Sequence, residues 1–236
     1  MSVLIDIISA AVVGGMLVLI ALVTTDNGTQ ELVNYNAAKV VQLDLEQTTQ
    51  IIEQDIKKIG FGIPETEQGN VLQTVLGNEL KFLTHLNLNA ETKMPLPGVT
   101  TYDNIVDTIK YTITHYKAID FGDTIVNLYN VKRSVNITSL KTLNATIGKI
   151  GNANIFTYLD QIGQTASSAA EVRIVEITLS AFNPKVLLSP SLVQNDEDLE
   201  ANVQAANSES RKREIRRLLR GSYWKKNRLI LRNLNS

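Results

Sequence analysis

The chain has 236 residues, a net charge of −1 and no cysteine. The missing thiols exclude a disulfide framework, a thiolate metal site and a cysteine nucleophile, and the length allows one large domain or two small ones. The near-neutral total hides an asymmetry: residues 211–236 hold ten Lys/Arg against one acid, Glu214, giving +9, so residues 1–210 carry −10.

The first element is apolar. No charged residue lies between Ile7 and Val23, and with Val3–Asp6 the stretch has 21 residues. As a helix it measures ~31 Å, close to the ~30 Å hydrocarbon core of a bilayer. A secretory signal peptide is the alternative, but no Lys or Arg precedes the run and "ALVTTDNG" is a poor cleavage site. Residues 1–26 therefore read as a transmembrane helix. Asp6 stands out, because a carboxylate in hydrocarbon costs roughly 2.5–3.5 kcal/mol. Pairing with a cation, or a place at headgroup depth, offsets that cost. Gly14 and Gly15 permit close approach of another helix. No Lys or Arg occurs before Lys39, so the terminal amine alone favours an N-terminus inside and residues 27–236 outside.

Residues 27–60 read as an amphipathic helix. Asn27 and Gln30 resemble a capping box. Leu32, Tyr35, Ala38, Val41, Leu45, Ile52, Ile56 and Ile59 recur at helical spacing, with Thr48 or Thr49 filling one step. Lys39, Asp44, Glu46, Glu53, Asp55 and Lys57 are assigned to the polar face. Asp26-Asn27-Gly28 is an expected kink or break, and Gly60 with Pro64 an expected stop. Residues 61–190 read as sheet. Leu80, Phe82, Leu86 and Leu88 alternate, as do Ile109, Tyr111 and Ile113 against Thr108, Lys110, Thr112 and Thr114. Val175, Ile177 and Leu179 oppose Glu176, Thr178 and Ser180. Such alternation marks half-buried antiparallel strands. "DTIVNLYNVKR" is a looser strand, and Asp120–Asp123 a hairpin turn. Residues 191–210 are an acidic, polar loop, and residues 211–236 a basic segment ending in a short strand, "RLILRNL".

Several stretches, in order, resemble the type IV pilin-like family, specifically J- or W-type minor pseudopilins and minor pilins. They are "LEQTTQIIEQDIKKIGFGIP", "KYTI", "NLYNVKR", "NIFTYLDQIG" with its Phe-x-Tyr-x-Asp-x-x-Gly pattern, "VRIVEITLSAFNP" and "RLILRNL". "SVLID" resembles the family's mature N-terminus if Met1 is lost, with Ser2 first and Asp6 where the family has Glu. No leader and no Gly or Ala precedes that point, a departure from the family's processing signal. The resemblance implies an α+β fold, a long N-terminal helix packed on an antiparallel sheet. It also implies that Asp6 pairs with the terminal amine, here of Ser2, on a neighbouring subunit. The implied role is filament assembly, as a minor, tip-located component of a type IV pilus or a type II secretion pseudopilus.

No catalytic constellation is legible, so the chain is expected to be no enzyme and to need no cofactor. His85 and His115 read as sheet-surface residues, and Gly148-Lys149 lacks the upstream glycine of a phosphate loop. Asp196, Asp198 and Glu200, beside Glu197, offer oxygen donors of the type calcium takes. A solvated acidic loop is the plainer reading. Arg211, Lys212, Arg213, Arg216, Arg217 and Arg220 form a basic patch, followed by Tyr223 and Trp224 among further cations. Such a segment suits intramolecular pairing, a partner protein, lipid headgroups or, least of all, nucleic acid. The expected partners are other pilin-like subunits, met through N-terminal helices, and the membrane. The expected location is the inner membrane, with residues 27–236 periplasmic or extracellular. The alternative reading is a single-pass anchored protein with an extracytoplasmic binding or adhesion domain.

Overall fold

The computed structural model describes residues 2–64, 69–86, 106–120, 125–137, 141–181 and 222–234. Helix α1 runs without interruption over Ser2–Ile56, 55 residues, or about 83 Å at 1.5 Å per residue. The break expected at Asp26-Asn27-Gly28 does not occur, and Asn27 is an interior residue instead of a cap. One glycine costs a helix only about 1 kcal/mol. The neighbouring Thr24, Thr25 and Thr29 hydroxyls donate to the carbonyls of Ile20, Ala21 and Thr25, so their polar groups are satisfied within the helix.

The helix ends as its sequence requires. Lys58 N and Ile59 N bond to carbonyls three residues back, and Gly60 then adopts φ +73°. That left-handed conformation is open to glycine at little cost. Gly60 N bonds not to the helix but to Leu83 O, at 3.1 Å. The helix stop is thus also the join to the sheet.

Among the described residues, eight strands form two antiparallel sheets. The first has the order β1 (Leu72–Leu76), β2 (Glu79–Thr84), β3 (Asp107–Asp120), β4 (Ile125–Ile137) and β5 (Lys141–Ile150). Each strand pairs with its neighbour in sequence, an up-and-down meander. The second sheet has β6 (Phe156–Leu159), β7 (Ile174–Ala181) and β8 (Tyr223–Ile230). The fold is α+β, as expected. The β3–β4 ladder extends to Asp120↔Ile125. The hairpin turn expected at Asp120–Asp123 lies, from residue 121 on, outside the described residues, as do Leu88 and the acidic loop.

The core fills the space between the second half of α1 and both sheets. Val41, Leu45, Ile52, Ile56 and Ile59 face Phe82, Ile109, Tyr111, Val131, Val175 and Ile177. The expected stripe is therefore correct only from Val41 onward. Leu32 and Tyr35 are 64% and 67% exposed, because the helix has left the sheets by that point. Thr48 and Thr49 both occupy the missing step and both are buried. β7 also differs from its expected pattern: Glu176 and Ser180 are buried along with Val175, Ile177 and Leu179. A central strand, flanked by β6 and β8, is covered more completely than alternation alone implies. The closing strand starts five residues earlier than "RLILRNL", at Tyr223. β1 and β5 were not legible as strands.

The helix crosses β5 at Gly148. Thr48 Oγ1 donates to Ile147 O at 3.0 Å, and a Cβ at position 148 would overlap Thr48 Oγ1 and lie 3.1 Å from its Cγ2. Gly148, read above only against a phosphate loop, is needed for this approach. Gly148→Ala is expected to cost about 1–3 kcal/mol in denaturant unfolding, the range for overpacking. Adding Thr48→Ala should recover part of the loss; equal stability of Gly148→Ala and wild type would show that the contact is slack.

Candidate functional site

Two regions stand out: an unpartnered apolar half of α1 and a polar clamp that fixes its other half. Ser9–Thr29 is 21 residues long, with mean hydropathy 1.9, and none of it is buried. It is long and apolar enough to cross a membrane. Val12, Val13, Met16, Leu17 and Val23 on one side and Ile7, Val18 and Leu22 on the other are exposed, so apolar surface runs round the circumference, the pattern of a helix meant for lipid or for other helices. Gly14 and Gly15 have no atom within 4 Å of an added Cβ, so both offer open surface. Ser2 and Asp6 belong to this helix by backbone. Their side chains lie outside the described residues.

The clamp centres on Asp55, which is 3% exposed although its residue type placed it on the polar face. The Tyr111 hydroxyl donates to its Oδ2 at 2.6 Å. Arg133 donates from Nε to Oδ2 at 2.5 Å and from its terminal nitrogen to Oδ1 at 3.2 Å. The carboxylate is thus paired by a fork from β4 and a phenol from β3, which lie opposite each other in register. Burial pushes the Tyr111 phenol well above its usual range, and the Asp55 charge pushes it further. Burial is the largest single influence on Arg133 and lowers its pKa, but the hydrogen bond and charge of Asp55, with Tyr111, together outweigh it and leave it raised. Asp55 falls on the spacing Thr48, Ile52, Asp55, Ile59, so helical position carried the signal that residue type concealed.

Two further ties hold the same end of α1. Asn233 Nδ2 donates to Lys57 O and Ile59 O, both at 3.1 Å, capping carbonyls the helix leaves open. Along the flank, Lys225 pairs with Glu46 and Asn227 with Glu53. The Phe-x-Tyr-x-Asp-x-x-Gly stretch has a structural task at each position. Phe156 is buried, and the Tyr158 hydroxyl bridges to Leu76 O and Glu79 O at 3.0 and 3.1 Å. Asp160 Oδ1 accepts from Ile162 N and Gln164 N, forming the turn that Gly163 completes.

Part of the basic segment is intramolecular. On β7, Glu176 is 6% exposed and meets Lys226 at 2.7 Å and Arg228 at 2.6 Å. The bond from Lys226 holds its carboxyl below the usual range against the opposing effect of burial, and Arg228 adds to this. Arg211, Lys212, Arg213, Arg216, Arg217 and Arg220 lie outside the described residues, as do Asp196, Asp198 and Glu200. His115 is exposed and within 3.3 Å of Asn127 Oδ1, consistent with a surface role. His85 corrects its expectation: it is 5% exposed, with its backbone N–H on Phe61 O, because the turn after α1 folds over the end of β2.

Asp55→Asn leaves the half-buried Arg133 without its counter-charge. The expected cost is about 3–5 kcal/mol, read by urea unfolding of the full chain, whereas Tyr111→Phe should cost only about 1 kcal/mol. Glu176 gives a pH dependence of definite sign. Its folded pKa lies below the unfolded one, so its stabilisation is complete above the ordinary carboxylate range and is lost as pH falls through the folded value. Glu176→Gln should flatten the loss of stability between about pH 5 and pH 3; an unchanged acid limb would mean that the pair contributes nothing. Compared with known proteins, the chain matches no family model, no curated protein and no solved structure.

Proposed function

We propose that the chain is a non-enzymatic, membrane-anchored subunit of a type IV pilus-like filament or type II secretion pseudopilus, acting as a minor, tip-located component. One observation carries the reading: a single helix of 55 residues is exposed and apolar round its first half and buried on antiparallel sheet along its second. That arrangement suits a segment stored in the bilayer and later packed among the equivalent helices of neighbours. A simple anchor needs only the first half and has no use for rigid continuity into the folded domain.

In this reading the N-terminus lies inside, the sheets lie outside, and the partners are other pilin-like subunits. Asp6 pairs with the terminal amine of a neighbour, and Gly14-Gly15 admits a neighbouring helix. No catalytic group and no cofactor is assigned.

Asp6→Ala is expected to leave membrane insertion intact and to reduce assembly, read by co-isolation of subunits from native membranes. Assembly at wild-type level would remove the pairing. A photo-crosslinker at Val12 should capture proteins with short apolar N-terminal helices and an early acid. Capture of lipid alone would reduce α1 to an anchor and favour the alternative, an anchored binding domain.

A further inference from the structure

The outer face of the five-stranded sheet carries a polar grid that neither the helix clamp nor the proposed assembly uses. Strand register sets it out. Lys110 on β3 lies opposite Ser134 on β4, which lies opposite Asn144 on β5. Two residues along, Thr112 lies opposite Lys132, which lies opposite Thr146. These six side chains line a shallow cleft of about 520 Å³. Arg133 and Ala145, between them along the strands, complete it, and the Arg133 guanidinium is held by Asp55. No carboxylate and no aromatic ring lines the cleft among the described residues. Glu79 pairs with Lys110 at its rim at 3.1 Å, and Asp55 holds Arg133.

The chemistry of this grid is specific. Lys110 and Lys132 are diagonal neighbours across the β3–β4 pair, so their stems stand roughly 7–8 Å apart. Two separated cations, of which Lys110 is shared with Glu79, fit two anionic groups on one chain better than a single small anion. Around them stand three hydroxyls and an amide; Ser134 Oγ donates to Asn144 Oδ1, so that pair presents the Asn144 Nδ2 donor and the Ser134 lone pairs. That is the complement of a ligand rich in hydroxyls. With no aromatic ring in its described lining, the cleft itself offers no platform for stacking bases, which single-stranded nucleic acid binding uses. The charge is also local: residues 1–210 carry −10 overall, yet this cleft is cationic.

We infer that the outer face of β3, β4 and β5 binds an anionic glycan, a sugar polymer bearing carboxylate or phosphate groups. Lys110 and Lys132 hold the anionic groups, and Thr112, Ser134, Asn144 and Thr146 bond to the sugar hydroxyls. The site lies on the opposite face of the sheet from α1, so it stays open whether or not the helix is packed among neighbours.

The test titrates the full chain, in detergent micelles, with oligogalacturonate, and compares neutral dextran and polyuridylate. Binding of oligogalacturonate that weakens with added salt is expected, and dextran should not bind. Because the segment 211–236 is itself basic, the deciding quantity is a difference between variants. Lys110→Gln with Lys132→Gln should weaken binding about tenfold or more, as loss of charged hydrogen bonds predicts. Lys39→Gln with Lys57→Gln removes the same charge from α1 and should change little. Thr146→Val keeps every charge and should weaken binding a few-fold, in the range of one neutral hydrogen bond. If the double variant loses structure by circular dichroism, Lys132→Gln alone decides, since Lys132 is exposed. Absence of binding, an equal loss in the α1 variant, or equal affinity for polyuridylate overturns the proposal.

Discussion

A single buried carboxylate fixes how the two halves of this protein relate. Asp55 sits on the apolar stripe of α1, and an unpaired charge there would be intolerable. Its fork from Arg133 and its phenol from Tyr111 make the site acceptable only when α1 lies in one place along β3 and β4. Apolar contacts set no such register, because Ile52, Ile56 and Ile59 could slide among similar neighbours at small cost. The clamp selects one position, and packing supplies most of the stabilisation.

The rest of the docking follows from that register. With Asp55 placed, Thr48 lies over β5, where only a glycine leaves room, and Gly148 is the residue found. The helix end then meets β2 through Gly60 and Leu83, and the C-terminal Asn233 closes the last carbonyls. β8 is drawn against the helix flank by Lys225 and Asn227. Residues of β8 and the C-terminal turn, 174 to 179 positions away in sequence, thus converge on about four helical turns. One consequence is mechanical: displacement of the exposed half of α1 is transmitted to both sheets through one rigid helix.

The same geometry divides the surface. α1 covers the inner face of the sheets, and its apolar N-terminal half extends away from them. The outer face of β3–β5 is polar among the described residues, with lysines set diagonally among hydroxyls. The apolar half of α1 and the polar cleft are therefore on opposite sides of the sheet.

The sequence by itself determined the elements whose signal is local. The apolar run, the stop at Gly60, the alternation of Ile109, Tyr111 and Ile113, and the pairing of a long helix with antiparallel strands were all legible, since each rests on periodicity or a backbone preference. Only the tertiary structure decided the rest. β1 and β5 lack strong alternation and become strands because a neighbour pairs with them. Asp55 and Glu176 were assigned to solvent by residue type and are buried because cations distant in sequence reach them. The helix passes through Asn27-Gly28 because one poor helix former cannot outweigh two long favourable flanks. Charge partners and strand neighbours are long-range facts, and no local pattern of residues encodes them.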